Sequence, residues 1–379
     1  MKKVLVLCSL AFVVLLFVTA CSQEQKMGES KLNILEPVLP ETVYDYAAKD
    51  MPAYLPFDHT TINNNVATLG RVLFYDNALS ISNTVACASC HLQQFAFTDG
   101  KALSDGVGVE KTKRNAMAIM NMSREHSFFW DLRETNLQTM VTKPIQNHVE
   151  MGFDKMDNVV ANIKQIHYYK PLFEKAFGTS DVTATKVSMA LTQFLSSMKS
   201  HHSKYDVGRA SQFQNFNGLE LLGKELFTKT LYCKSCHFEP DFKSTWEDAA
   251  NIGLDLTYAD NGVGALNADA EGSFENGSFK IPTLRNIELT GPYMHDGRFK
   301  TLEEVIEHYN SGVKDHPYLN WNLRTAVDPK TGKPMSSNGP LKLNLSTVEK
   351  EALVAFLKTL TDYEYVNDVR FSNPFRVKS

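Results

Sequence analysis

Six cysteines in 379 residues leave no room for a disulfide framework. Cys8 sits in an apolar N-terminal run, Cys21 follows that run, and the other four form two close pairs, Cys87/Cys90 and Cys233/Cys236, so none is spare. Net charge is small as well. The formal net charge is −4, and removing residues 1–20 takes away Lys2 and Lys3 and leaves −6. That mild acidity argues against a nucleic-acid partner. The apolar run Val4–Val18 is too short for a convincing membrane span. A body that is 43% hydrophobic and 22% charged excludes both a disordered chain and a membrane-embedded one. Long alternating runs of strand type are missing as well, which leaves little basis for a large sheet.

What is present begins with an export signal. Lys2 and Lys3, the apolar run, and the small residues Thr19 and Ala20 before Cys21 read as a signal peptide over residues 1–20. Val18-Thr19-Ala20-Cys21 has the form of a bacterial lipobox, so Cys21 is the expected lipidation site and residues 21–45 the tether. The length of the chain suits two domains. A degenerate repeat says the same: Leu69-Gly70-Arg71-Val72-Leu73-Phe74 returns as Leu222-Gly223-Lys224-Glu225-Leu226-Phe227, 153 residues later. The cysteine pairs that follow are 146 residues apart. The expected division is 46–204 and 205–379.

Helical periodicity dominates residues 182–198, 217–227, 301–309 and 346–360. Thr301…Glu304 and Ser346…Glu349 fit capping boxes, in which the first and fourth side chains satisfy free N–H groups at a helix start. Residues 251–280, rich in Gly, Asn and Asp, predict a long irregular loop. His201-His202, near the domain boundary, reads as a solvated helix end in preference to a metal site. The fold class expected is mostly α, with two helical domains.

Each cysteine pair is followed by histidine: Cys87-Ala-Ser-Cys90-His91 and Cys233-Lys-Ser-Cys236-His237. Cys-x-x-Cys-His puts two thiols and an imidazole on one side of a helical turn, so that both thiols can form thioethers to haem vinyl groups while the histidine reaches iron. Structural zinc usually requires four ligands, and a thiol redox pair does not need the adjacent histidine. Two copies in an exported chain therefore predict two c-type haems, with His91 and His237 as proximal ligands.

Haem chemistry then depends on the sixth iron position, since an open site can bind peroxide and a filled one mainly passes electrons. Between His91 and Arg114 there is no histidine or methionine, so the first haem reads as open. For the second, Met294, Met335, His295, His308, His316 and several tyrosines are candidates. Leu302, Val305, Ile306 and Tyr309 share one helical face, which turns Tyr309 toward the core and His308 elsewhere.

Taken together, these segments resemble the dihaem cytochrome c peroxidase and MauG family from about Ala67 to Leu360. The match is carried by Leu69–Phe74, Cys87–His91, Phe129-Trp130-Asp131 with Arg133, Pro144-Ile145-Gln146 through Glu150-Met151, Pro282–Asn286 and Leu289–Gly297. The resemblance implies two cytochrome c-like domains, a calcium ion between them, and peroxide chemistry at the N-terminal haem. By position, Glu150 matches the family's distal carboxylate, a general acid-base for O–O cleavage, and Trp130 matches the tryptophan between the haems. Asn115, Thr290 and Pro292 match the calcium positions, the last two through carbonyl oxygens.

Departures from the family pattern narrow the reading. Val107 and Gly108 stand about where the typical peroxidase has a loop histidine that closes the first iron. Tyr309 stands where the typical second-haem methionine falls, and Met140 where many members have a distal glutamine, with Gln138 nearby. The first two departures resemble the MauG branch, which makes Tyr309 the implied second-haem ligand, with Met294 as the alternative. The function expected is reduction of hydrogen peroxide with electrons from a small exported donor such as a cytochrome c or cupredoxin. The rival readings are a MauG-like oxidase acting on a partner protein and a dihaem electron carrier. The chain is expected to face the periplasm and to meet the membrane through its lipid only.

Overall fold

The computed structural model describes residues 36–47, 51–55, 60–231, 233–244, 248–266, 275–324 and 339–375. Cys21 and Met335 lie outside them. The helices are α1 (Asn64–Tyr75), α2 (Cys87–Cys90), α3 (Leu137–Met140), α4 (Met156–Lys164), α5 (Tyr169–Phe177), α6 (Ala184–Ser197), α7 (Lys204–Ala210), α8 (Gly218–Glu225), α9 (Leu302–Glu307), α10 (Thr347–Lys358) and α11 (Tyr363–Asn367). Among the described residues the one sheet is a short antiparallel pair, β1 (Ala249–Ala250) with β2 (Phe279–Lys280), which frames the loop expected over 251–280.

Two hydrophobic clusters divide the helical part. The first gathers α1, α4, α5 and α6 around Phe74, Phe97, Phe173 and Phe194. The second gathers α8, α9 and α10 around Tyr205, Phe227, Phe242 and Phe356. The duplication is visible in how each cluster is built. At Gly70 an added Cβ would lie 2.0 Å from the Ala190 carbonyl oxygen and 2.8 Å from Phe194 Cβ; at Gly223 it would lie 1.8 Å from the Ala352 oxygen and 2.8 Å from Phe356 Cβ. Each glycine is therefore the point where its helix crosses a partner, α6 or α10, at backbone contact. The partner helices also repeat: Ala190-Leu191-x-x-Phe194-Leu195 returns as Ala352-Leu353-x-x-Phe356-Leu357, a second half of the duplication that the cysteine motifs outshine.

Both expected capping boxes form, Thr301 with Glu304 and Ser346 with Glu349. The helix expected over 301–309 stops being α at Glu307 and continues as a π turn, His308–Gly312. A second π turn, Leu226–Thr230, ends α8 just before Cys233. The wider turn adds a residue per helical circuit and re-aims the side chains that follow, so such turns gather at functional positions.

The end of the chain does not stay with the second cluster. Tyr365, Val366 and Phe371 belong to the first, Arg71 Nε donates to the Ser372 carbonyl at 2.6 Å, and Gln93 Nε2 to that of Asp368 at 2.8 Å. His201 also differs from expectation. It is buried, because Asp362 accepts the Ser200 hydroxyl and the backbone N–H groups of His201 and His202 and draws the segment inward. His202 remains exposed and pairs with Glu364 at 3.3 Å.

Candidate functional site

Both Cys-x-x-Cys-His segments form the turn that their spacing demands. Cys87–Cys90 is helical, Cys233–Ser235 is a 3-10 turn, and the backbone N–H of each histidine donates to the first cysteine's carbonyl, at 3.0 Å for His91 and 3.1 Å for His237. Behind each histidine the chain closes a small loop by a pair of strand-like contacts, Leu92 with Thr98 and Phe238 with Lys243. A left-handed phenylalanine, Phe97 at φ +62° and Phe242 at φ +52°, turns its carbonyl onto the imidazole. His91 Nδ1 lies 2.7 Å from the Phe97 oxygen and His237 Nδ1 3.1 Å from the Phe242 oxygen. An Nδ1–H held on a carbonyl fixes the tautomer and leaves Nε2 as the lone-pair donor a metal needs. Burial lowers the pKa of both histidines, that of His237 to about 4, so both are neutral at physiological pH. Four free thiols at this spacing with two neutral imidazoles are the donor set that two c-type haems require.

The first attachment turn faces Glu150. This half-buried carboxyl is close enough to raise the pKa of both Cys87 and Cys90, whose thiols burial pushes up to about 12 and 11. Burial also raises the pKa of Glu150 itself, and the Arg133 guanidinium partly offsets that rise. The turn carrying Glu150 is held by the loop after the first motif: Val107 N–H donates to the Val149 carbonyl at 3.0 Å, and Gly106 packs so tightly there that an added Cβ would lie 1.8 Å from the Val149 oxygen. Gln138 turns away toward α6, donating to Ser188 Oγ at 3.2 Å.

Trp130 links the two halves. Its indole N–H donates to the Asn115 carbonyl at 2.9 Å, and its own carbonyl accepts from Lys280 N–H at 2.8 Å. Asn115 N–H in turn donates to the His295 carbonyl at 2.7 Å, three residues after Pro292. The Asn115 amide nitrogen donates to the Lys101 and Ala102 carbonyls, which leaves the amide oxygen as the atom able to meet a cation. The Thr290 and Pro292 carbonyls expected beside it are oxygen donors as well. Among the described residues no cluster of three or more His, Cys, Asp or Glu could hold a metal.

At the second turn the titratable candidates separate. His308 is buried, with Nε2 2.9 Å from the Ile252 carbonyl, so it does not point away from the core as its helical position suggests. His295 stacks on Phe279 with ring centroids 3.6 Å apart, and His316 Nδ1 is 3.1 Å from Asn251 Nδ2. Tyr309, on the π turn, has its pKa raised by burial and then by Cys236 and Cys233. Of these four side chains it alone senses the attachment cysteines.

Sequence reasoning missed the clamp that joins the halves. Arg114 forks onto Asp260 at 2.7 and 2.8 Å and reaches Asp131 at 2.6 Å, while Asp131 also takes Arg133 at 2.7 Å. Glu125 receives Lys243 at 2.9 Å and Lys280 at 2.7 Å, and Arg124 pairs with Asp241. The partners of Arg114 at Asp260, of Glu125 and of Arg124 are more than a hundred residues away in the chain, and no local pattern signals such pairs. The two phenylalanine carbonyls were findable, since Phe97 and Phe242 follow their histidines by six and five residues.

A mostly helical chain with a doubled cytochrome-type attachment turn has the form of a dihaem c-type oxidoreductase. A family model for di-haem cytochrome c peroxidase matches residues 64–212. The chain is 32% identical to the methylamine utilization protein MauG of Methylorubrum extorquens, over 77% of each chain. It is also 32% identical to the cytochrome c551 peroxidase of Nitrosomonas europaea, over 80% of this chain and 81% of that one. The crystal structure of a MauG-like protein associated with microbial copper homeostasis matches with a TM-score of 0.75 and 30% identity, covering 87% of this chain and all of that one. The chain belongs to the dihaem cytochrome c peroxidase/MauG family and is an enzyme of the oxidoreductase class.

Proposed function

We propose that the chain reduces hydrogen peroxide to water at the haem held by Cys87, Cys90 and His91, with electrons entering through the haem held by Cys233, Cys236 and His237. The observation that carries this reading is Glu150, a carboxyl with raised pKa within electrostatic reach of Cys87 and Cys90. When bound, the haem supplies the oxidising chemistry, and the protein supplies position and proton handling. Glu150 takes the proton from the near peroxide oxygen and returns it to the far one, so that water is the leaving group. His91, with Nδ1 fixed on the Phe97 carbonyl, presents Nε2 to iron, and His237 does the same from Phe242. Trp130, bonded to both halves, is the electron relay. Asn115, Thr290 and Pro292 would hold calcium, and Tyr309 would ligate the second haem.

The fragment 46–204 then forms the peroxidatic domain and 205–379 the electron-transfer domain, with the segment around Tyr365–Phe371 lying on the first core. We place the protein on the periplasmic side of a bacterial membrane, anchored through lipid on Cys21 and fed by a small donor such as a cytochrome c or cupredoxin. No helix among the described residues is long and apolar enough to cross a membrane.

The position of Tyr309 supports a second reading, a MauG-like oxidation of a partner protein, because an oxygen ligand lowers a haem's potential and favours holding oxidising equivalents. The test is electron paramagnetic resonance and optical spectroscopy of the fully oxidised protein before and after stoichiometric peroxide, without prior reduction. One high-spin haem whose signal is lost on peroxide addition supports an open His91 site. Two low-spin haems unresponsive to peroxide overturn it. Slow turnover with a donor protein, but oxidation of tryptophan or tyrosine in a partner, selects the MauG-like reading.

A further inference from the structure

Beside the first attachment turn, two consecutive tyrosines share one carboxylate oxygen. Tyr169 opens α5 and is fully buried; its hydroxyl donates to Asp76 Oδ2 at 2.6 Å. Tyr168, the residue before it, donates to the same oxygen at 2.5 Å, and the two rings lie 4.9 Å apart between centroids. Asp76 ends α1 and is itself buried, with its other oxygen held by Ala78 N–H at 2.8 Å. One end of the array lies on the side of the first haem site, since Tyr169 belongs to the core against which Cys87 packs. The other end reaches solvent: Tyr168 is half-buried, and its ring meets those of Phe375 and the exposed His167, which pairs with Glu36 at 3.0 Å.

Pinning α5 to the end of α1 needs one phenol on Asp76. The second phenol extends the array of hydrogen-bonded, ring-contacting groups from the buried Tyr169 toward the surface. Burial holds both phenols far above the usual tyrosine pKa, so neither is available as phenolate. Oxidising either one therefore requires a base already in contact with its proton, and Asp76 Oδ2 is that base for both.

We propose that Tyr169, Asp76 and Tyr168 form a relay that carries an oxidising equivalent away from the first haem when no electron donor is bound. The inference rests on the reading that peroxide oxidises the haem attached to Cys87. Tyr169 gives that haem one electron and its phenolic proton to Asp76 Oδ2, becoming a neutral radical. Tyr168 then gives one electron to Tyr169, which recovers a proton from Asp76, while the proton of Tyr168 passes to Asp76. The net result is one electron delivered to the haem, one neutral radical on Tyr168 and one proton on Asp76. Hydrogen peroxide, which brings two oxidising equivalents, is the oxidant.

The experiment uses the fully oxidised dihaem protein, mixed with stoichiometric hydrogen peroxide in the absence of donor and freeze-quenched. The haem absorption change reports the reaction with peroxide, and electron paramagnetic resonance reports the tyrosyl radical. The wild-type protein is expected to give both. Tyr169→Phe should keep the haem response and lose the radical. Tyr168→Phe should keep a radical with a different hyperfine pattern, now confined to Tyr169, and it serves as the test if Tyr169→Phe does not fold. A haem response without a tyrosyl signal overturns the relay and leaves the peroxide reading standing. So does a signal indifferent to Tyr169→Phe, or, where only the other variant folds, to Tyr168→Phe. No haem response to peroxide removes the reading and the relay together.

Discussion

The two attachment turns are copies, yet their surroundings are opposite in kind. The first has the titratable carboxyl of Glu150 within electrostatic reach, on a turn tied by Val107 N–H to the Val149 carbonyl and by Asn147 Oδ1 to the backbone N–H groups of Val149 and Glu150. The second has the half-buried phenol of Tyr309 within electrostatic reach of its cysteines, and its histidine loop is clamped by charges from the other half: Arg124 on Asp241 and Glu125 on Lys243. Arg285, fully buried, adds a fork onto Asp206 at 2.8 and 2.9 Å and a bond to the Pro240 carbonyl at 2.9 Å. A duplicated domain thus keeps its ligand-presenting loop and diverges in what faces it. On the proposed function, the first copy serves proton transfer and the second a fixed iron environment.

The sharpest way to break that contrast is to remove its proton-handling member. Glu150→Gln should slow the reaction of peroxide with the first haem by about 10²–10⁴-fold, the usual worth of a positioned acid-base, with both haems retained; stopped-flow absorption measures it. Because burial raises the pKa of Glu150 above 4.5, the wild-type rate should fall as pH drops through that raised value, where the base becomes protonated. Glu150→Gln should lack that acid limb. The complementary substitution acts on the other copy. Tyr309→Met should raise the second haem's potential by on the order of 100 mV, within the span of roughly 0.8 V that axial ligands cover. Spectroelectrochemistry reads the shift, and an unchanged potential would remove Tyr309 from the iron.

What the copies share can be tested the same way. Gly70→Ala and Gly223→Ala each force a methyl into a backbone oxygen about 2 Å away, and overpacking of this kind costs about 1–3 kcal/mol. Equal losses in thermal unfolding, each centred on its own haem's absorption, would confirm that the two helix crossings are equivalent. A loss in only one would show that the duplication no longer carries equal structural weight in both halves.

The fold was legible in the sequence wherever the signal was local. The cysteine motifs, the glycine-centred repeat and both capping boxes each depend on residues within a few positions, and each forms as its spacing requires. The π turn at His308–Gly312 was not legible, because 3.6-residue periodicity continues smoothly through Leu302–Tyr309 while the backbone does not. On that turn His308 is buried and Tyr309 half-buried. The return of Tyr365 and Phe371 to the first core, the burial of His201 and the ion pairs of Glu125 all depend on partners far away in the chain, where periodicity carries no information.

The smallest expected effect concerns the clamp itself. Burial alone would raise the pKa of Glu125, but Lys280 and Lys243 outweigh it and leave it lowered. A carboxylate whose folded pKa is depressed contributes stability that is fully present above its unfolded value, near 4.5, and is lost as pH falls through the lower folded value. Each unit of depression corresponds to about 1.4 kcal/mol. Glu125→Gln should therefore lower the thermal stability of the half that holds His237 at neutral pH, and the two proteins should converge as the solution is acidified. The His91 half, which has no such clamp on its histidine loop, should unfold at nearly the same temperature in both. A gap between the two proteins that stays constant into acid would mean that Glu125 acts through packing, and that the charges joining the halves do not distinguish one haem loop from the other.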